Sequence, residues 1–494
     1  MKTKVPVFRL WKILAAGAVC GALGLGMPST MAFDYTWIAG GATSYTTPTA
    51  WNPSGPPDAS DNIIWNDAGG AGDMAINITG EVPVANVFMS VSSGQRTTRI
   101  SGNFAPIFTV SGTISKTGGS AYSIMGRNDG SGTNEMTVHV GHVDLQEGIL
   151  NFGSLAVGST SFSAALRAVT IGSATLADGA TMGFAVGRNA TTGTATITGN
   201  LHMEGASTVN LRNRAGTGAG QSTILQVGSL SSAGSGAVIQ ANDLTAGNPT
   251  TGLLRLNNAA GVSVFAGVIR DGGTIGNMLS VEKNNNGTQV LTGANTYTGA
   301  TTINAGTLLV GQGGTGSLGN TAVTVNAGTL GGTGSVAGTV VIGDGAGAGD
   351  AFLSAGDGAG LIGTFTIGNS LSLNADATFV FEYNSTLALA DQVAANGITI
   401  SGASISIIDL TPGGILAEGT EFVVINNTSG GAIVGTFSNL ADGSTISVGD
   451  TLFQVSYSGG DGNDLVLTVV PEPATTMLFG LGLASVLFFR RRLG

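Results

Sequence analysis

"INAGTLLVG", residues 303–311, returns as "VNAGTLGGT" at residues 325–333. The shared core Asn-Ala-Gly-Thr-Leu recurs from Asn304 to Asn326, a period of 22. An alternating run precedes each copy ("TTIN", "VTVN"), and a glycine sits inside each, Gly306 and Gly328. One rung of a parallel β-helix takes about 20 to 25 residues, so the period fits such a rung. Glycine suits a turn that needs positive φ, and asparagine tolerates the same region. A looser repeat lies upstream, "IMGRNDGSGTNEMTV" (124–138) against "AVGRNATTGTATITG" (185–199). The element apolar-x-Val-Gly recurs at Leu155–Gly158, Phe184–Gly187 and Leu225–Gly228, at spacings of 29 and 41. Irregular spacing of this kind predicts rungs with loops of varying length on one side.

The composition agrees with a repeat array. The length of 494 residues alone suggests two to four domains. Charged residues are only 10%, against roughly 25% in an ordinary globular chain. Glycine supplies 82 residues and aromatics 6%. Such a chain favours short strands and tight turns over a compact globule. Disorder is the competing reading of so much glycine, but 42% of residues are hydrophobic and their runs recur with β spacing.

The two ends read as addresses. Residues 1–32 begin with Lys2, Lys4, Arg9 and Lys12, continue through an apolar stretch from Ile13 to Met27, and close on Thr30-Met31-Ala32. This is the layout of a secretory signal peptide cleaved after Ala32. It holds the one cysteine, Cys20, so the mature chain is expected to have no thiol, disulfide or cysteine metal site. The other end is "VVPEPATTMLFGLGLASVLFFRRRLG". Residues 474–489 carry no charge; as a helix they would span about 24 Å, short of the ~30 Å hydrocarbon core. Their apolar side chains favour insertion by roughly 3 to 4 kcal/mol, a marginal anchor. Arg490, Arg491 and Arg492 would hold that end on the cytoplasmic side. The span 33–470 has 11 basic and 28 acidic residues, a net of −17. An acidic body argues against nucleic acid and against electrostatic docking on anionic lipid.

Pro471-Glu472-Pro473, an apolar segment and a terminal basic cluster resemble the PEP-CTERM sorting signal. That resemblance implies export in a Gram-negative bacterium that makes exopolysaccharide, recognition of the Pro-Glu-Pro by an exosortase-type membrane enzyme, and a transient inner-membrane anchor. The stretch "LTGANTYTGATTINAGTLLVG" (291–311) resembles the autotransporter-associated β-strand repeat, with Gly293, Asn295, Tyr297, Gly299, Thr301, Gly306 and Leu308 at the matching places. The segments 264–273 and 457–467 resemble that family's flanks, and the Trp37 and Trp51 region its opening. A true autotransporter ends in an outer-membrane barrel, whereas this chain ends in the sorting tail. The body is therefore expected to leave by another route.

The expected fold is all-β: a parallel β-solenoid over residues 71–410, with its best repeat at 290–333. A Trp-bearing cap (33–70) precedes it, and a β cap (411–470) follows, ahead of the tail (471–494). At about 22 residues and 4.8 Å per rung, the rod is about 75 Å long. Aliphatic side chains should stack inside, with Asn and Thr ladders at the corners.

Signs of chemistry are few. His139, His142 and His202 are the only histidines. The first two are three apart, so on a regular strand they face opposite ways. Gly311, Gly313 and Gly316 form G-x-G-x-x-G with no helix pattern after it, so no dinucleotide site is expected. "GGDGNDLVL" (459–467) fits the calcium nonapeptide of parallel β-rolls, with Asp461 and Asp464 as oxygen ligands. A single copy lacks the adjacent rung, so a turn into the last strand is the expected reading. Asp344, Asp350 and Asp357 lie in a Gly-rich insertion. Glu135, Asp144 and Glu147, with Arg127 upstream, are the densest charged group. Only their convergence on one face would support a glycan-active β-helix enzyme. The expectation is a non-catalytic exported matrix or surface protein without cofactor, acting as scaffold or adhesin. A glycan lyase or hydrolase of the same matrix, and a calcium-stiffened solenoid, are the alternatives.

Overall fold

The structure is a computed structural model. It describes residues 32–38, 42–45, 47–66, 75–77, 80–90, 96–100, 107–119, 121–126, 136–153, 166–185, 193–212, 222–241, 251–273, 276–347 and 349–471. The signal peptide with Cys20, the charged residues Arg127 and Glu135, the element Leu155–Gly158, and the tail from Glu472 through Arg492 lie outside the described residues.

The chain is an all-β solenoid. Its spine is a 17-stranded sheet in which successive turns pair in parallel. From the strand Ile107–Thr117 to the strand Ile398–Ile400 it makes about 11 turns. The inward positions stack as an aliphatic column, Val140 on Ile171 on Ile197 on Val227 on Leu256, each nearly or fully buried. Phe152 stacks on Phe184 with ring centroids 5.7 Å apart.

Two rung shapes share this spine. Upstream, each rung has one long strand, such as Met136–Leu145, followed by a short one, Ile149–Phe152, in a nine-stranded sheet. The long strands bend. In Met136–Leu145 the buried positions run 136, 138, 140 and then 143, 145, so the alternation slips by one residue at Gly141. The bends stack in a column of Gly112, Gly141, Gly172, Gly199 and Gly228. Glycine is required there for close approach. A Cβ on Gly172 would strike the carbonyl oxygen of Gly141, and one on Gly228 would lie 2.8 Å from that of Gly199.

Downstream the bend opens into a break, and the same column continues in asparagine. The amide of Asn257 bonds to the Val227 carbonyl (2.8 Å), that of Asn284 to Leu256 (2.8 Å), that of Asn304 to Lys283 (2.9 Å) and that of Asn326 to Ile303 (2.8 Å). Each long strand has become two, as in Thr251–Leu256 with Val262–Phe265. The second halves form an eight-stranded sheet that starts at Val262–Phe265. Buried Gln289 seals the changeover, its amide donating to the carbonyls of Leu230 (3.0 Å) and Ser263 (3.1 Å). Another eight-stranded sheet completes a three-sided rung.

The 22-residue period is local. Val281 pairs with Thr301 and Thr301 with Val323, offsets of 20 and 22. Upstream, Val138 pairs with Val169 and Leu225 with Leu254, offsets of 31 and 29. The longer rungs carry strands of 10 to 12 residues where the repeat has three.

Both ends of the ladder are covered. Parallel pairing already begins at Tyr35 on Ile63, so residues 33–70 contribute rungs of their own. The strand Trp51–Asn52 runs antiparallel along Asp34–Trp37. Trp51 packs edge-on against Trp37 (4.8 Å) and Tyr45 (5.3 Å), and its indole N–H bonds to the Tyr45 carbonyl (2.8 Å). At the other end the strands Glu421–Asn427, Asp464–Val470, Thr451–Gly459 and Thr445–Val448 pair antiparallel in that order. The Asn439 amide meets both the N–H (2.9 Å) and the C=O (2.8 Å) of Ile405 on the last strand of its sheet. Covered edges deny another chain a template for strand addition.

The glycine column makes a direct prediction. Gly172→Ala should destabilise the protein by about 1 to 3 kcal/mol through overpacking against backbone. The outward-facing Thr170→Ala should change stability far less. The urea midpoints of the two variants check this.

Candidate functional site

The repeat motif occupies the place where the nine-stranded sheet ends and its successor on the same side begins. Asn295 is 2% exposed. Its side-chain oxygen accepts from the Ile269 amide (2.8 Å), and its nitrogen donates to the carbonyls of Gly293 and Ser317 (both 3.0 Å). Ile269 is on the last strand of the nine-stranded sheet, and Ser317 is on the first of the sheet that follows. One side chain thus stands in for a missing strand.

The other motif residues serve the same junction. Gly293 lies so close to Gly267 that a Cβ would strike its carbonyl oxygen. Gly299 is likewise pressed against Leu279. Tyr297 is fully buried, and its hydroxyl bonds to Thr301 (2.7 Å), which meets Thr321 (3.1 Å). Burial pushes the Tyr297 phenol well above its usual range. Asn304 links two neighbours in an outward ladder: it donates to Asn284 (3.0 Å) and accepts from Asn326 (2.9 Å), while Asn284 donates to Asn257 (3.2 Å). Gly306 and Gly328 turn the corner at φ +69° and +90°. Pro471 is exposed at the end of the last strand.

The expected chemical candidates do not assemble. His139 and His142 both face outward, against the alternation rule, because the strand slips at Gly141 between them. His142 bonds to Ser173 (2.8 Å), and His202 to Ser231 (2.9 Å). Gly313 lies in a tight turn closed by Gln312 and Thr315, and Gly311 and Gly316 flank it, all three with positive φ. Residues 459–464 form an antiparallel hairpin turn, and Asp464 accepts the Asn427 amide (2.8 Å). Asp344 caps Ala346 (2.8 Å), whereas Asp357 accepts from Gly313 (2.8 Å). Asp144 is half-buried on its strand, and Glu147 is exposed in the turn beyond it. Among the described residues no group of three or more His, Cys, Asp or Glu is arranged to hold a metal ion, and no helix is long and apolar enough to cross a membrane.

Sequence reading missed the buried charges. Lys116 and Lys283 are fully buried. Lys116 donates to the carbonyls of Gly118 (2.7 Å) and Glu147 (2.9 Å), and Lys283 to those of Asn284 (2.8 Å), Asn285 (2.7 Å) and Ala305 (3.2 Å). Desolvation lowers both ammonium groups to about 8. Asp391 and Glu382 pin the loop 356–363. Asp391 accepts from Gly363 (2.9 Å) and Glu382 from Gly360 (2.7 Å). Burial pushes the Asp391 carboxyl up to about 7, the amide donors of Gly363 and Glu382 oppose the rise, and the Glu382 charge adds to it. These groups serve backbone atoms of their own and neighbouring turns, and nothing in their local sequence marks them.

Comparison with known proteins agrees with this geometry. A family profile described as passenger-associated-transport-repeat matches residues 281–310, a stretch reaching over two successive turns that holds Lys283, Asn295 and Asn304. The PEP-CTERM protein-sorting motif matches residues 469–492. The chain is also similar to a protein named adhesin BmaC autotransporter from Brucella suis biovar 1 (strain 1330), 38% identical over 106 residues. That match covers 20% of this chain and 3% of the adhesin's length. Together the sorting motif and the passenger-type repeat indicate an exported cell-surface protein.

Two outcomes follow from the buried polar groups. Asn295→Ala should cost about 2 to 3 kcal/mol, since it leaves the N–H of buried Ile269 without its acceptor, whereas Asn304→Ala in the exposed ladder should cost about 1 kcal/mol; urea midpoints check both. Asp391 has its folded-state pKa raised from 3.8 to about 7. The folded chain therefore keeps a proton that the unfolded chain releases, and this group's contribution declines as pH rises from about 4 to 7. Asp391→Asn should flatten that part of the stability profile, measured by denaturant titration at several pH values.

Proposed function

We propose that the protein is a non-catalytic surface or extracellular-matrix protein, a long β-solenoid that acts as scaffold or adhesin and is delivered by its C-terminal sorting tail. The observation that carries this reading is the inward use of its chemistry. Asn295, Tyr297, Lys283, Asp391 and Asp464 each bond to the chain's own backbone or neighbouring side chains. Among the described residues of the long strands, outward positions such as Thr137, His139, Thr170 and Gln226 are polar and remain for a partner. Exopolysaccharide is the partner class suggested by the sorting tail. In this reading an exosortase-type membrane enzyme recognises Pro471-Glu472-Pro473, while Arg490, Arg491 and Arg492 keep the far end of the tail on the cytoplasmic side. The body crosses first and stays briefly tethered to the inner membrane, until the tail is processed. The similarity to a protein named as an adhesin autotransporter supports the surface role, and in this reading the sorting motif is the means of delivery.

Mass spectrometry of the protein from whole cells and from the matrix fraction tests this. The expected result is a matrix form that begins after Ala32 and has lost residues near Pro473. An intact tail in every fraction, with the protein confined to the inner membrane, contradicts it.

A further inference from the structure

The end of the rod next to Pro471 exposes aliphatic side chains that the fold does not need there. Ile415 is 94% exposed, Leu387 64% and Leu389 53%. Hydrogen bonds place them together beside the exit of the tail. The Gly419 amide bonds to Val469 (2.9 Å), and the Val469 amide bonds back to Thr420 (2.8 Å), so the loop bearing Ile415 lies along the last strand. The hairpin turn after Asn384 is tied to that loop: Ser385 Oγ donates to the Thr411 carbonyl (2.7 Å), and the Leu387 amide bonds to Asn384 (2.8 Å), which pairs with Leu389. Tyr383, one residue before Asn384, reaches the Val448 carbonyl (3.4 Å), close to where Thr451–Gly459 pairs with the final strand.

The chain beyond Pro471 is 23 residues, and its uncharged run starts at Ala474. Two intervening residues reach no more than about 10 Å even when extended. Any insertion of that run therefore brings this end of the rod to the bilayer surface. We propose that Leu387, Leu389 and Ile415 form a docking face that seats the rod end in the headgroup region of the membrane while the tail is inserted. This rests on the reading of the tail as a membrane segment. Charge selects the kind of surface. From residue 284 to residue 489 the chain has no lysine or arginine, and Glu418 and Glu421 are exposed beside the patch. Contact is therefore apolar and favours zwitterionic over anionic headgroups.

The test uses the full chain with Cys20→Ser, reconstituted in phosphatidylcholine vesicles that carry a nitroxide-labelled lipid. An environment-sensitive fluorophore is placed by Ile415→Cys, by Ser485→Cys in the tail, or by Thr324→Cys on the spine, three strands before its last strand Ile398–Ile400. The expected result is strong quenching at positions 415 and 485 and none at 324. Adding Leu387→Ser and Leu389→Ser should remove most of the quenching at 415 and leave 485 unchanged. Replacing half of the lipid by an anionic one should weaken it at 415. Quenching at 485 without quenching at 415 overturns the docking face but leaves the tail reading intact. Quenching at 415 that ignores the leucine substitutions means simple tethering and also overturns it. A fluorophore at 415 that is shielded without lipid quenching means that the tail itself covers the patch, again overturning it. No quenching at 485 overturns the membrane reading of the tail and the inference with it.

Discussion

Every turn of this solenoid must change direction at the same corner while its neighbours lie one strand spacing, about 4.8 Å, above and below. That constraint governs the rest of the structure. A side chain at the corner either vanishes or bonds to its own copies. Glycine at 141, 172, 199 and 228 takes the first solution, and asparagine at 257, 284, 304 and 326 takes the second. The change between them coincides with the opening of one bent strand into two. There buried Gln289 carries hydrogen bonds that a regular ladder would otherwise supply, as Asn295 does where the nine-stranded sheet gives way to its successor.

The same constraint explains why several charged and polar side chains of the described residues face inward. A stacked core of Val, Ile and Leu needs no disulfide or metal, but it leaves backbone groups unpaired wherever the rung changes shape. The buried lysines and carboxylates answer those groups, and their shifted proton affinities report desolvation. They are weak grounds for catalysis, since such shifts also arise in purely structural settings. Under the proposed reading, function resides in the length of the rod and in its delivery to the cell surface.

The corner was legible where it repeats at short range. Asn304 and Asn326, with Gly306 and Gly328, announce it because only one lean rung lies between them. The glycine column upstream was not legible. One residue in six is glycine, so a stacked bend is lost among turn glycines, and offsets of 26 to 31 hide the register. The misjudged orientation of His139 and His142 has the same origin, because strict alternation fails at Gly141. Asn295 belongs to a recognisable motif, but its part in joining two sheets depends on Ile269 and Ser317, both more than 20 residues away. Asp391 at Gly363 and Lys283 at Ala305 reach backbone atoms of adjacent turns, and such partners leave no pattern in a single sequence.

Hydrogen exchange across the corner tests the account most directly. If one continuous column organises the rod, amides flanking Gly172–Gly228 and those of Asn257–Asn326 should open together as denaturant approaches the unfolding transition, with Gln289 holding the changeover closed. Two separate openings, divided between residues 230 and 265 well below the transition, would contradict it and describe two solenoids joined end to end.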